Sequence, residues 1–247
     1  MHRLTPLLLA ALLAACAGGP PDPQAIVDAA IATHGGDVLR HAVVEFDFRG
    51  KHFRITRDGG RFQYERLYTD STGAVREVLN NDELYREVDG RRVDLTEKER
   101  LKMEEDVNSV VYFALLPFPL NDPAVQKRYL GATTIRGEPY HEVEITFRPE
   151  GGGRDYQDRF VYWFHRDRAT MDYLAYFYYT NVTGSRFREA YNVRTVGGVR
   201  FADYHNYKAD SVGVEDVEHY DTLFEEGRLT HVSDIVLENV RVTPLSD

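Results

Sequence analysis

Apolar and polar side chains alternate along most of this 247-residue chain, and this period of two constrains its fold more than any other feature. In the segment VVEFDF, Val44, Phe46 and Phe48 fall on one side, as in a strand with one buried face. Short glycine-containing sequences separate such segments, which is typical of antiparallel hairpins. The predicted turns are Asp58-Gly59-Gly60, Asp89-Gly90, Gly197-Gly198 and Glu226-Gly227. The pattern predicts about 11–13 antiparallel strands.

Two segments break the alternation and predict helices. Asp22 followed by Pro23 suits a helix start, because the aspartate can accept from a free backbone N–H and proline needs no donor there. The second helix begins at a possible capping box of Thr96 and Glu99 and ends before Pro117. The predicted fold class is therefore mainly β (α+β), with an N-terminal helix and a central helical insert.

The first sixteen residues predict export of the chain. Arg3 precedes an apolar run at residues 7–15, which is too short to span a bilayer and has the layout of a signal peptide. The sequence LAAC at residues 13–16 resembles the lipobox of bacterial lipoproteins. The resemblance implies removal of residues 1–15 and attachment of diacylglycerol and an amide-linked acyl chain (palmitate) to Cys16, the sole cysteine. The alternative is an ordinary secreted protein with an incidental cysteine.

This lipobox resemblance also implies where the chain resides. Lipoproteins kept in the inner membrane typically carry an acidic residue after the cysteine, whereas this chain has Ala17, which favours the periplasmic side of the outer membrane. Residues 16–23 are then the lipidated cysteine and a short tether. Residues 24–247 are expected to form a single domain, attached to the membrane through its N-terminal lipid.

Composition and motif content exclude several classes of function. Forty Asp and Glu against 30 Lys and Arg give a net charge of −10, which argues against nucleic-acid binding and against a polybasic membrane surface. The sequence has no Walker loop, no Gly-x-Ser-x-Gly elbow and no local zinc-ligand spacing. We therefore expect a monomeric protein that is not an enzyme and has no metal and no cofactor.

Isolated polar residues leave a catalytic alternative open. Asp155 and Asp158 lie three apart in the loop sequence EGGGRDYQDRF, and two carboxylates can serve acid–base chemistry, although a solvated turn is the favoured interpretation. A hydrolase built from these aspartates and a strand histidine is the corresponding hypothesis. The histidines lie on different predicted strands and are predicted to be structural or on the surface: His52, His141, His165, His205, His219 and His231.

The order of elements and several phrases resemble one superfamily. A lipobox, a leading helix, a meander, a helical insert and a second meander occur together with the phrases YLGATTIRGEPYHEVEITF, DRFVYWFHRDRATM and FREAYNV. This combination is similar to the LolA/LolB-like lipoprotein-localisation superfamily. The resemblance implies a curved antiparallel half-barrel that encloses an apolar cavity, with helices plugging its mouth.

The resemblance also implies the residues of a binding site for a hydrophobic or acyl-chain ligand, as in a lipid or lipoprotein carrier. The most apolar segment after the N-terminus, VYFALLPFPLND at residues 111–122, would form the plug. The predicted plug residues are Val111, Phe113, Leu115, Leu116 and Phe118. The predicted cavity lining consists of Tyr162, Phe164, Tyr173, Phe177, Tyr179 and Tyr191. Arg186 and Arg188 share one strand face and are candidates for contacting a head group.

The same fold also allows an interior that is packed without a cavity. If the plug completed a solid core, the chain would be a non-catalytic structural or interaction lipoprotein of the cell envelope. Alternation alone gives the same pattern for a packed and for an open interior. We favour the open cavity, because few predicted helices are available to fill so wide a sheet.

Overall fold

The computed structural model describes residues 19–179, 183–211 and 213–246, which contain fourteen strands and four α-helices. The strands are β1 (His41–Phe48), β2 (Lys51–Asp58), β3 (Arg61–Asp70), β4 (Gly73–Asn80), β5 (Leu84–Val88), β6 (Arg91–Val93), β7 (Val125–Ile135), β8 (Glu138–Phe147), β9 (Arg159–His165), β10 (Met171–Tyr178), β11 (Gly184–Val196), β12 (Val199–Lys208), β13 (Thr230–Ile235) and β14 (Glu238–Pro244). The helices are α1 (Pro23–Thr33), α2 (Gly36–Leu39), α3 (Glu97–Ala114) and α4 (Tyr220–Glu225), with 3-10 turns at Phe118–Asn121 and Val214–His219.

The strands form two open, antiparallel sheets of seven strands each. The first sheet has the order β14-β1-β2-β3-β4-β5-β6, and the second has the order β13-β12-β11-β10-β9-β8-β7. The predicted mainly β class, with unclosed sheets and a central helix, is confirmed. The described residues hold more strands than predicted. β4 is the strand that alternation predicts least clearly, because its apolar residues Val75, Val78 and Leu79 are not two positions apart.

Three of the four predicted hairpin turns are confirmed. Residues 59–60 join β2 to β3, Asp89 and Gly90 join β5 to β6, and Gly197 and Gly198 join β11 to β12. The φ angles are 49° at Asp89, 75° at Gly90, 56° at Gly197 and 84° at Gly198. Such positive φ angles suit glycine, which has no Cβ, and are tolerated by aspartate.

The fourth predicted turn, at residues 226–227, is wrong as a hairpin turn. The segment before it forms the 3-10 turn Val214–His219 and α4, so β13 begins only at Thr230. Val217 and Tyr220 lie three residues apart and are both fully buried. This spacing is helical, and it covers one face of the second sheet with a helix where the sequence predicted a strand.

Both predicted helices start as the sequence indicated. The Asp22 carboxylate accepts a hydrogen bond from the backbone N–H of Gln24, with Pro23 as the first helical residue. At α3, Thr96 and Glu99 form a reciprocal capping box. The helix ends at Ala114, before Pro117, which has no N–H to continue it.

Helix α3 carries the plug between the two sheets. Met103 and Val107 pack on the first sheet and are almost completely buried. Near its end the helix also packs against the second sheet, through Tyr112 and Phe113. The central insert therefore packs on both sheets through its apolar side, while its polar side, including Lys102 and Glu104, is exposed.

The centre of the second sheet, at β9 and β10, is buried on both faces. All seven residues of β9 are buried. Phe160, Tyr162 and Phe164 contact α1 and the plug, on what we call the inner face. Val161 and Trp163 contact α4 and the turn before it, on the outer face. This double burial matters for the site, because a strand buried on both sides shows no alternation of apolar and polar residues.

Within the described residues, none of the helices combines the length and apolar character needed to cross a bilayer. The predicted signal peptide at residues 1–15 and the predicted lipidation site Cys16 lie outside the described residues.

Candidate functional site

A cavity of about 560 Å³ lies between the end of α3 and the inner face of the second sheet, and we call it the α3 cavity. This volume falls in the usual range of small-molecule sites, roughly 300–1,000 Å³. Its walls include Phe62, Tyr112, Phe113, Phe147, Phe160 and Tyr176. Aromatic walls of this kind bind apolar groups through the area that they remove from water.

The inner wall of the α3 cavity is held by contacts between aromatic side chains. The hydroxyl groups of Tyr112 and Tyr162 hydrogen-bond at 3.1 Å and tie α3 to β9. Burial raises the pKa of both phenols, so that both hydroxyls stay protonated. The ring of Phe113 lies 5.2 Å from that of Tyr176 and 6.3 Å from that of Phe160. The cavity wall is therefore an ordered aromatic cluster.

The structure places the predicted plug residues on two sides of α3. Val111 and Leu115 belong to the core against the first sheet, and both also line the α3 cavity. Leu116 belongs to the core of the second sheet, against which Phe113 also packs. Phe118 packs against both cores. Val111, Phe113, Leu115 and Phe118 line the α3 cavity, whereas Leu116 does not, and the part of all five in ligand binding stays a prediction.

The predicted lining residues do not share one face, and this expectation is corrected. Tyr162 and Phe164 belong to the inner face. Tyr173 and Phe177 belong to the outer face, packed under α4. The reason is double burial, together with a register irregularity between Met171 and Tyr173 that shifts the phase of β10.

Two further residues of that predicted set lie away from the α3 cavity. Tyr179 is 44% exposed, with its ring 5.1 Å from that of Phe177. Tyr191 stacks on His205 with a centroid distance of 3.9 Å. Neither residue lines the α3 cavity, and the other four residues predicted to line it, Tyr162, Phe164, Tyr173 and Phe177, do not line it either.

Sequence reasoning missed five of the six wall residues named above: Phe62, Tyr112, Phe147, Phe160 and Tyr176. Phe160 could have been found, since it lies two residues before the predicted Tyr162 on the same strand. Tyr176 could not, because the irregularity in β10 makes even-numbered residues face inward where odd-numbered ones were predicted.

Arg186 and Arg188 line a second cavity, of about 490 Å³, that we call the arginine cavity. Arg49, from the turn between β1 and β2, lines it as well. Tyr176 and Tyr178 line both this cavity and the α3 cavity, so the two are neighbours. A smaller cavity of about 200 Å³ is lined by Arg49, Arg188 and Phe113 among others. The two predicted head-group arginines therefore adjoin the apolar cavity.

Loop 151–158 places a buried carboxyl group in the α3 cavity. Asp158 is 7% exposed and accepts a hydrogen bond from the backbone N–H of Tyr179 at 3.2 Å. Burial raises the pKa of Asp158 to about 7, and the nearby Asp155 adds to the shift. Asp155 lines the cavity too, but the lining contributed by the described residues includes no histidine. The pair of aspartates and a histidine that a hydrolase would need is not assembled there.

One side-chain cluster has the donor types of a metal site. Nδ1 of His205 and Nε2 of His231 each lie 2.8 Å from Oδ1 of Asp234. The three ligand atoms lie within 4.8 Å of one another. Sequence spacing missed this cluster because the histidines come from adjacent strands, β12 and β13. Two imidazoles and a carboxylate suit a transition metal, but here the two histidines already bond to the carboxylate.

Similarity to solved structures extends over most of the chain at low identity. A DUF1329 family protein from Desulfovibrio piger is 14% identical, covers 90% of this chain and 93% of its own, and gives a TM-score of 0.46. A LolA superfamily protein from Nitrosomonas europaea is 9% identical, with 92% and 95% covered and a TM-score of 0.47. A domain from Vibrio parahaemolyticus described as an outer membrane lipoprotein-sorting protein is 7% identical, with 90% and 94% covered and a TM-score of 0.48.

Two of these names agree with the superfamily that the sequence resembles. All three TM-scores lie below 0.5, so the function has to be argued from the residues of this chain. No curated protein matches the chain significantly. The model of the family of unknown function DUF6503 matches residues 2–238. The chain belongs to the DUF6503 family.

Proposed function

We propose that this protein binds the acyl chain of a lipid-like ligand in the α3 cavity, without covalent chemistry, as an envelope lipoprotein of the carrier type. The observation that carries the proposal is the α3 cavity itself, about 560 Å³ in volume and walled by aromatic side chains. The cavity is partly open to solvent, as entry of a ligand from outside requires.

Energetics support an apolar ligand in this cavity. Each CH₂ group transferred from water to such a wall gains about 0.8 kcal/mol, less the cost of ordering the chain. Phe113 and Phe160 line the cavity with aromatic rings. The hydroxyls of Tyr112 and Tyr162 hydrogen-bond to each other, so they need no polar group on the ligand. Affinity can then come from apolar area alone.

The envelope location belongs to the same proposal. It is supported by the lipobox-like LAAC at residues 13–16, from which we infer lipidation of Cys16 and anchoring at the periplasmic side of the outer membrane. Mass spectrometry of the N-terminal peptide from the purified protein tests the lipidation directly. A free, unmodified Cys16 in the membrane fraction would refute it.

Ligand uptake is tested with a fluorescent fatty acid, 11-(dansylamino)undecanoic acid, and two matched tryptophan variants. Ser109 and Glu104 are both exposed on α3, but only Ser109 lines the α3 cavity. We expect Ser109→Trp to lower probe affinity at least about tenfold by filling the cavity, and Glu104→Trp to leave it unchanged. The measurement is a titration of dansyl fluorescence with the full chain in phosphatidylcholine nanodiscs, with empty nanodiscs as the blank.

Absence of saturable uptake by the unmodified protein would overturn the proposal. Equal losses in both variants would also contradict it, because they would place the bound probe outside the α3 cavity. In either case the packed-core alternative, an interaction lipoprotein, would be the better account.

A further inference from the structure

Three arginines converge on the arginine cavity from both sheets. Arg49 comes from the β1–β2 turn of the first sheet, where it is exposed, and Arg186 and Arg188 come from β11 of the second. The two residues of β11 are two apart and therefore share the inner face. A concentration of three cations around one cavity is unusual for a chain with a net charge of −10.

Arg188 is the most informative of the three. It is 8% exposed, and its Nη2 donates to the Tyr176 hydroxyl at 2.8 Å. Its guanidinium carbon lies 3.9 Å from the ring centroid of Phe113. Its Nε is buried and has no hydrogen-bond partner among the described residues. Burying a cation without an anion is costly, and contacts with aromatic rings recover only part of that cost.

The other two buried arginines show how this fold neutralises such a charge. Arg66 lies 2.5 Å from Glu77 and 3.2 Å from Asp106. Arg159 lies 2.6 Å from Glu144 and 2.5 Å from Glu218. Arg188 has no carboxylate within ion-pair distance in the described part of the chain, although the chain carries 40 acidic residues. Among residues 19–179, 183–211 and 213–246, its charge therefore has no counterion.

Nothing acidic lines the arginine cavity within residues 19–179, 183–211 and 213–246. Nη1 of Arg186 donates to the carbonyl oxygen of Ser185, and the remaining polar lining comes from Asn206 and Ser233. The α3 cavity differs, since Asp122 and Asp158 line it. Positive charge without acidic neighbours selects for an anion, and planar guanidinium groups bind carboxylate and phosphate oxygens in pairs.

We propose that Arg49, Arg186 and Arg188 bind the oxyanion head group of an anionic amphiphile whose chain occupies the α3 cavity. This inference rests on the proposed function and adds the chemical class of the ligand to it. Tyr176 and Tyr178 line both cavities, so they mark where head group and chain meet. The oxyanion supplies the counterion that Arg188 lacks, while Phe113 contacts both the guanidinium and the chain.

The test compares two probes that differ only in charge, 11-(dansylamino)undecanoic acid and its methyl ester. Each is titrated into the full chain in phosphatidylcholine nanodiscs. We expect the unmodified protein to bind the acid at least about tenfold more tightly than the ester, as a charge-assisted hydrogen bond in a buried site provides.

Variants then locate the preference for the acid. Arg188→Met is expected to abolish it, lowering acid affinity at least about tenfold while ester affinity stays the same. Arg49→Gln and Arg186→Gln are each expected to lower acid affinity about threefold, since more exposed charges are better screened by water. If Arg188→Met fails to fold, Arg49→Gln and Arg186→Gln still test the arginine site. The matched control is Arg166→Gln, at an exposed turn position that lines none of the three cavities.

The outcomes separate this inference from the proposed function. Equal binding of acid and ester by the unmodified protein would overturn the arginine site and leave the proposed function intact. Binding of neither probe would overturn the proposed function. The last experiment is a competition in which inorganic phosphate or unlabelled palmitate displaces the bound acid. If phosphate is as effective as palmitate at the same molar concentration, the site binds a free oxyanion, and the assignment to an amphiphile is wrong.

Discussion

Arg159 and Arg188 lie on opposite faces of the second sheet and are almost equally buried, at 7% and 8% exposure, but their surroundings differ. On the outer face, Arg159 is enclosed by Glu144, Glu218 and two backbone carbonyls. On the inner face, Arg188 has an aromatic ring, a phenol and two adjoining cavities.

This contrast extends to the packing around the two arginines. The outer face is completed by α4, with Trp163, Phe187 and Tyr220 fully buried against one another. The inner face is left with open volume beside Phe113 and Tyr176. One sheet therefore carries a densely packed core on its outer face and open volume on its inner face. The open volume and the unpartnered Nε of Arg188 lie together on the inner face, where we propose that the ligand binds.

The largest effect is expected on the outer face. Replacing Arg159 with methionine leaves Glu144 with Arg128 alone and Glu218 with His219 at 4.0 Å. We expect Arg159→Met to lower the free energy of unfolding by about 3 kcal/mol, because the charge-assisted hydrogen bonds of the guanidinium to Glu144 and Glu218 are lost. Urea unfolding followed by the fluorescence of Trp163, the single tryptophan, measures this. A loss below about 0.5 kcal/mol would show that the outer network is not structural.

A smaller effect is expected from the buried carboxyl group in the α3 cavity. The pKa of Asp158 is raised to about 7 in the folded chain, from 3.8, so between these values the folded state binds more protons than the unfolded state. Stability conferred by this group is therefore present at acidic pH and is lost as pH rises through about 7. We expect Asp158→Asn to gain on the order of 2 kcal/mol over the unmodified protein on going from pH 5 to pH 8.

Urea titrations of both proteins at the two pH values measure that difference. Parallel pH dependence of the two unfolding free energies would contradict the raised pKa of Asp158, since all other titrating groups are common to both proteins.

The smallest effect is expected at Arg188, and it has the opposite sign to that at Arg159. Arg188→Met removes a buried charge for which the described residues provide no counterion and replaces it with an apolar chain of similar length. We expect the free energy of unfolding to change by less than about 1 kcal/mol, in the stabilising direction. The same urea measurement applies. A loss as large as that of Arg159→Met would remove the contrast between the two faces and point to a structural role for Arg188.

The sequence predicts where helices and turns lie more accurately than it predicts which face of a strand each side chain occupies. Thr96 with Glu99, and Gly197 with Gly198, each determine local structure through their own backbone and side chains, and both predictions are confirmed. Tyr173 and Phe177 were assigned to the wrong face because β10 is buried on both sides, and its unbroken run of apolar and aromatic residues from Tyr173 to Tyr178 does not indicate which residues face inward.

The candidate site was predictable only in part for a related reason. The plug segment stands out by composition, and Arg188 by its place on a strand, but the cavity depends on how α3 fits between two sheets. The convergence of Arg49 with Arg188 joins residues 139 positions apart, through the β1–β2 turn and β11. No local sequence pattern predicts that residues so far apart in the chain line the same cavity.

The pairing of β1 with β14 has a consequence for how the chain folds during synthesis. β14, at Glu238–Pro244, is made last and hydrogen-bonds to β1, at His41–Phe48, which is made first among the strands. The meander from β1 to β6 can pair as it leaves the ribosome, but one edge of β1 stays open until β14 arrives. An open strand edge can pair with strands of other chains, so aggregation is a risk until β14 has paired with β1.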